Sequence, residues 1–354
     1  MKRIIGVFRG FPGLGRVVSG VSLLETLRDQ YGYETKAISY LQGNKYLETK
    51  GYMNLREAVP MDYCSIGLLP TNRMGSYIFD TIKEYRPNVI IIDGEPLIIQ
   101  ALKISFPDIK VVALLNPADV DNPQNDKEAM DYFNAMYSLS NLAIVHGLRK
   151  VNIKAHYNKF VSMGTILRNE ILSVKNNPSN NIYCLLGGGT VNVGHQFVES
   201  TIKIGELCIL AANELRDYYI HLICSSNNIY DALNENRIPP NVFLHKDVLD
   251  ATEYYTDAGL VITRSGRNTL SELAYLGIPA ISFISGCSFR KNEQEQNTNN
   301  TDACNIEKAD LSITPSKLAD LCRIMIKRKR ISTTFECGNT TAIQEILSIC
   351  KIID

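Results

Sequence analysis

The residues best equipped for chemistry fall in a few short stretches. One is Arg264-Ser265-Gly266-Arg267-Asn268-Thr269-Leu270-Ser271-Glu272, where an apolar run of strand length enters a serine-glycine turn and a helical pattern leaves it. The unpaired amides of a helix start favour an anion such as phosphate. Glu272, within the first turns, is placed to accept hydrogen bonds from both hydroxyls of a ribose. The plainer reading, a solvated helix carboxylate, is weakened by the apolar character of that helix. Two glycine-rich turns, Gly10-Phe11-Pro12-Gly13-Leu14-Gly15-Arg16 and Gly187-Gly188-Gly189-Thr190, each follow a strand-like run. Glycine lets backbone approach a ligand closely, and the Thr190 hydroxyl adds a donor, so both turns suit a diphosphate. The spacing is not that of a dinucleotide fingerprint and no acidic residue closes the second strand, which argues against a nicotinamide cofactor.

Carboxylates form a further set. Asp93 and Glu95, in Pro87-Asn88-Val89-Ile90-Ile91-Ile92-Asp93-Gly94-Glu95-Pro96, stand at the carboxyl end of an apolar strand and are candidate general bases. Asp119 and Asp121, in the loop after the next strand, are second choices; helix capping is the bland alternative for all of them. The amide-rich run Asn292-Glu293-Gln294-Glu295-Gln296-Asn297 is chemically suited to reading sugar hydroxyls, or is a polar surface loop.

The elements that must hold these residues alternate between strand-length apolar runs and longer amphipathic stretches, the pattern of strand-helix-strand units around parallel sheets. Strands are expected at 3–8, 34–40, 88–92, 110–114 and 142–145, with helices at 17–30, 75–85 and 128–139. After the polar stretch 174–181 the series repeats, with strands at 182–186, 219–224, 242–244, 260–262 and 280–283 and helices at 196–213 and 269–276. The expected fold is α/β, two Rossmann-like doubly wound domains with a cleft between them: residues 1–173, a linker 174–181, a second domain 182–335, and a closing helix within 336–354. Ligands of such sheets bind at the carboxyl ends of the strands.

At 354 residues the chain is long enough for two full cores. Lysine plus arginine (37) balance aspartate plus glutamate (37), so no global field draws the protein to nucleic acid. The nine cysteines are scattered and never spaced CxxC, which argues for reduced core thiols and against a zinc site. No signal-peptide core and no apolar run of about 20 residues is present, so a cytoplasmic protein is expected. The basic cluster Lys327 to Arg330 leaves peripheral contact with anionic lipid open.

The segment 254–281 resembles the donor-binding segment of the peptidoglycan lipid-intermediate N-acetylglucosaminyltransferase and its relatives, on an aromatic pair (Tyr254, Tyr255), Asp257, Arg264-Ser265-Gly266, Thr269, Ser271-Glu272 and Gly277-Ile278-Pro279. The run 292–297 is similar to the family's Glu-Gln-x-x-Asn segment, whose Gln contacts donor sugar hydroxyls and whose Asn supports the loop. Asp93-Gly94-Glu95-Pro96 looks like a stretch found in relatives of unassigned acceptor. The resemblance implies the two-domain GT-B architecture and a glycosyltransferase moving a sugar from a nucleotide-sugar donor, a UDP-sugar with UDP-GlcNAc as one candidate, to a hydroxyl acceptor. It implies inversion and needs neither metal nor other cofactor. The donor set is then Gly13, Gly15, Gly188, Gly189, Thr190, Arg264, Ser265, Gly266, Asn268, Thr269, Glu272, Glu293, Gln294 and Asn297, and the catalytic set Asp93, Glu95, Asp119 and Arg16. Many members carry a histidine after the first glycine turn. Arg16 stands in that region and, unable to accept a proton at neutral pH, would face the diphosphate or an anionic acceptor. A nucleotide-sugar hydrolase or 2-epimerase, or a donor-binding subunit without turnover, are the competing readings.

Overall fold

The computed structural model describes residues 2–10, 13–52, 71–122, 126–187, 194–284, 295–297, 299–301, 305–328, 330 and 335–351. The chain divides into two compact units, 1–169 with 337–354, and 170–336.

The first unit holds a parallel sheet of β1 (Arg3–Phe8), β2 (Glu34–Ile38), β3 (Val89–Asp93), β4 (Lys110–Leu115), β5 (Leu142–His146) and β6 (Phe160–Met163), in the order β2-β1-β3-β4-β5-β6. β3 and β5 are buried along their whole length, which is why each reads as an Ile, Val, Leu and Ala run up to its last residue, Asp93 or His146. Crossover helices include Gly15–Tyr31, Thr71–Tyr85, Pro96–Ser105 and Lys127–Ser138. The order runs outward from β1 to β2 on one side and from β3 onward on the other. The gap between the carboxyl ends of β1 and β3 is therefore the topological switch point where open α/β sheets take ligands.

The second unit repeats the plan with β7 (Asn181–Leu186), β8 (Tyr219–Cys224), β9 (Val242–His245), β10 (Ala258–Arg264), β11 (Ala280–Ile284) and β12 (Ile306–Asp310), ordered β12-β11-β10-β7-β8-β9 and parallel throughout. Its switch point lies between β7 and β10. Helices Gly194–Ala211, Asn227–Asn234, Arg267–Leu276 and Pro315–Lys327 connect or follow the strands.

The expected linker 174–181 is not a free tether: the Asn176 side chain donates to the carbonyls of Tyr255 and Ala258, Ser179 N donates to Asp257 O, and Asn181 already belongs to β7. Polar residues serve there because they pair with backbone while remaining largely exposed. The closing helix, Asn339–Lys351, is a part of the first unit, its Ala342, Ile343, Ile346 and Ile349 joining the core that includes Val17, Val21 and Leu24. Asn339 fixes the join, accepting from Leu167 N and donating to Leu167 O, both at 2.8 Å. Strands β6 and β12 escaped the sequence reading because they are short edge strands, half exposed and interrupted by polar residues.

Candidate functional site

The switch point of the second sheet is built around backbone groups and Arg264. β10 ends at Arg264, whose Nη1 donates to Gly187 O at 3.0 Å and to Thr201 Oγ1 at 2.9 Å, so the guanidinium bridges the ends of β7 and β10. Ser265 turns inward, sharing a 2.7 Å hydrogen bond with Ser282 and donating to Phe283 O at 3.0 Å. Asn297 donates to Ser265 O at 3.1 Å from the far side of the turn. Gly266 follows, exposed, with open space where a Cβ would stand. It precedes the helix Arg267–Leu276, which has no side-chain cap and no acidic residue in its first turn. Uncapped amides with no competing carboxylate suit an anion.

Asn268 and Thr269 lie half buried in that first turn, and Asn268 Oδ1 accepts from Arg267 Nε at 3.0 Å. Glu272, read from the sequence as the ribose acceptor, lies in the second turn of the same helix. It is 3% exposed, and its Oε2 accepts from the Tyr255 hydroxyl at 3.0 Å, so one of the aromatic pair holds it. Gly188, Gly189, Thr190, Glu293 and Gln294 lie outside the described residues.

The first sheet's switch point is filled with charge. Arg16, in the first turn of Gly15–Tyr31, donates from Nη1 to Asp93 Oδ1 at 2.5 Å and from Nη2 to both oxygens of Asp119 at 2.9 Å. Arg16, read from the sequence as facing the diphosphate or an anionic acceptor, is thus paired with two carboxylates of its own chain. Arg9, directly after β1, donates from Nε to Glu95 Oε1 at 3.4 Å. The Tyr40 hydroxyl donates to the same oxygen at 2.5 Å. Gly94 makes this assembly feasible: at φ 88 it takes a conformation natural to glycine, and a Cβ there would stand 2.7 Å from Arg16 Cδ and 2.8 Å from Arg9 Cβ. Gly13 and Gly15 lead into the helix, whose start also lacks a side-chain cap.

The carboxylates are not equivalent. Burial alone would raise the Asp119 carboxyl, but Arg16 and the Asn116 amide hold it below its ordinary value, so it stays ionised and weakly basic. Glu95 moves the other way, its proton affinity raised by burial that Arg9 and Tyr40 only partly offset. Asp93 contacts the same guanidinium as Asp119 and is 1% exposed. Asp121 is half exposed and paired with Arg149 at 3.0 Å, apart from the buried network. Of the Asp119 and Glu95 carboxyls, Glu95 is the one whose burial favours taking up a proton.

Arg9 and Tyr40 were missed by sequence reasoning. The available signal was position: they lie within two residues of the ends of the first and second strands, where sheet topology gathers side chains at one end. Among the described residues no cluster of three or more His, Cys, Asp or Glu is disposed to hold a metal. Among them also no helix is long and apolar enough to cross a membrane.

Residues 206–337, which contain the Arg264–Ser265–Gly266 turn, match the glycosyltransferase family 28 C-terminal domain. No curated protein matches the chain. Among solved structures, MurG from Acinetobacter baumannii is similar at 14% identity and a TM-score of 0.61, covering 98% of this chain and 99% of its own. The glycosyltransferase VinC in complex with dTDP is similar at 11% identity and 0.60, covering 99% of each chain. The UDP-GlcNAc 2-epimerase of Methanocaldococcus jannaschii in complex with UDP-GlcNAc and UDP is similar at 15% identity and 0.62, covering 99% of this chain and 100% of that one. At such identities the likeness is one of fold. The chain is therefore a two-domain protein of the GT-B fold that resembles the MurG-like glycosyltransferases and carries, at 206–337, residues matching the family 28 C-terminal domain.

Proposed function

We propose that the protein is a glycosyltransferase that binds a nucleotide-sugar donor in its second unit and activates an acceptor hydroxyl with Glu95 of its first. The observation that carries this reading is the Arg264-Ser265-Gly266 turn, which lies at a switch point and within the matched family domain and opens onto an uncapped helix. The helix-start amides take the donor diphosphate and stabilise the charge that grows on it as the bond to the anomeric carbon breaks. The acceptor oxygen forms the new bond to that carbon, and its proton passes to Glu95. Glu272 serves the ribose from its place beside Tyr255, and Gln294 reads the sugar. A uridine diphosphate sugar, with UDP-GlcNAc as the first to try, is favoured by the resemblance; the dTDP bound to VinC makes thymidine nucleotides the natural control. Inversion without a metal follows from the same reading.

The experiment is titration calorimetry of the full chain with UDP, dTDP, UDP-GlcNAc and UDP-glucose, followed by product analysis of the donor that binds, alone and with hydroxyl acceptors. Binding together with acceptor-dependent release of nucleoside diphosphate is the expected result. Absence of binding by every nucleotide and nucleotide sugar would sink the reading. Conversion of UDP-GlcNAc to its 2-epimer or to free sugar without acceptor would replace transfer by epimerisation or hydrolysis, and binding without turnover would leave a donor-binding subunit.

A further inference from the structure

We propose that Tyr40 is a positioning residue for the Glu95 carboxylate, held to that task by the strained turn after β2; the role rests on the reading of Glu95 as the proton acceptor. Tyr40 is fully buried, and in the order β2-β1-β3 it reaches past β1 to Glu95, the second residue beyond the end of β3. Its hydroxyl has one proton to give and gives it to Glu95 Oε1. Arg9 Nε points at that same oxygen. Among the described residues every hydrogen bond to the Glu95 side chain thus lands on Oε1, which fixes the orientation of the carboxylate and leaves Oε2 to take a proton. Burial and the charge of Glu95 push the phenol well above its ordinary range, so Tyr40 remains a donor wherever Glu95 is ionised.

The backbone around Tyr40 is shaped for this. Leu41, the next residue, stands at φ 52 and ψ −125, a sparsely populated region for any side chain other than glycine. Such strain persists only where the surroundings over-determine it. Here Ser39 Oγ donates to Phe8 O at 2.8 Å and Gly43 N donates to Tyr40 O at 3.0 Å. Gly10 lies so close beneath that a Cβ on it would stand 1.9 Å from Tyr40 O. The turn is therefore clamped onto the glycine-rich segment after β1, and the phenol is presented to Glu95 as a rigid donor.

The test reads the carboxyl itself. In full-length protein carrying ¹³C-labelled glutamate, with the Glu95 signal assigned through Glu95→Gln, the Glu95 titration is compared among the unmodified protein, Tyr40→Phe and a protein with 3-fluorotyrosine placed at 40. Loss of a hydrogen bond to the ionised form should move the Glu95 midpoint up by about one pH unit in Tyr40→Phe. The more acidic fluorophenol donates more strongly and should move it down. A merely structural role would not produce shifts of opposite sign, and the fluorotyrosine protein, differing by one atom, keeps the test decisive where the phenylalanine variant fails to fold. The acidic limb of kcat/KM against pH should follow both shifts while donor Kd stays constant. An unchanged Glu95 titration in both proteins overturns the proposal whatever the turnover. Shifted titrations in a protein whose Glu95→Gln variant transfers sugar normally would keep the Tyr40 to Glu95 coupling and remove instead the catalytic reading on which the role rests.

Discussion

The two switch points of this chain occupy the same place in the same kind of sheet and are furnished in opposite ways. At the β1/β3 end the chain supplies both signs of charge itself: Arg16 is held between Asp93 and Asp119, and Arg9 stands against Glu95. At the β7/β10 end it supplies the Arg264 guanidinium, tied down by Gly187 O and Thr201, together with glycine, inward-turned serine and a helix start without a side-chain cap. A site whose charges are already paired has little to offer an anion but can tune the proton affinity of one carboxylate. A site at a helix start with no side-chain cap can do little proton chemistry but can hold a phosphate. Fold alone therefore does not decide what a switch point does; the side chains that the loops bring to it do.

The largest expected effect of breaking this contrast is on stability. Asp93→Ala removes a fully buried partner of Arg16, which keeps Asp119 as its second, and should cost about 3 kcal/mol, the upper end for loss of a hydrogen bond to a charged group, measured by urea denaturation. Ser265→Ala at the other switch point, which removes hydroxyl hydrogen bonds without stranding a charge, should cost only about 1 kcal/mol. Similar losses at both would erase the distinction between a charge-filled and an amide-lined site.

Next in size is turnover. Glu95→Gln preserves shape and removes the base, so kcat should fall by about 10² or more with donor affinity retained, whereas Asp121→Asn should be nearly silent. A Glu95→Gln protein of full activity would move the base elsewhere.

A smaller effect separates the carboxylates by pH. Asp119, held below its ordinary value, contributes stability that is present above the unfolded carboxyl value of about 3.9 and is lost as pH falls through the lower folded value. Glu95, raised, contributes in the opposite sense: its share is complete below the unfolded value of about 4.3 and is lost as pH rises through the folded one. Urea midpoints taken against pH should lose their acid-side fall in part in Asp119→Asn and their decline toward neutrality in part in Glu95→Gln. Identical profiles for the two variants would mean that the carboxylates share one environment.

What the sequence made legible follows from where the physics is local. β1 and β8 are recovered residue for residue, since apolar β-branched runs bounded by turns are visible without any partner. The edge strands Phe160–Met163 and Ile306–Asp310 are not, because a half-exposed edge mixes polar and apolar residues and resembles a loop. At the sites, residue types and the strand ends that carry them were readable, but pairing was not. Nothing in the vicinity of Arg16 announces that Asp93 and Asp119 will meet it, 77 and 103 residues away. The Tyr255 hydroxyl that meets Glu272 was not readable for the same reason: the aromatic pair and the helix lie on either side of β10 in the sequence.

The division of labour between the two switch points is tested most directly by one calorimetric comparison of donor binding in Arg264→Ala and Glu95→Gln, using whichever nucleotide sugar the unmodified chain binds. Arg264→Ala removes the bridge from the end of β10 to Gly187 O and should weaken binding at least tenfold, about 1.4 kcal/mol. Glu95→Gln should bind as the unmodified protein does. Unimpaired donor binding in Arg264→Ala, or a loss in Glu95→Gln as large as that expected for Arg264→Ala, would contradict the assignment of donor to the second unit and proton chemistry to the first.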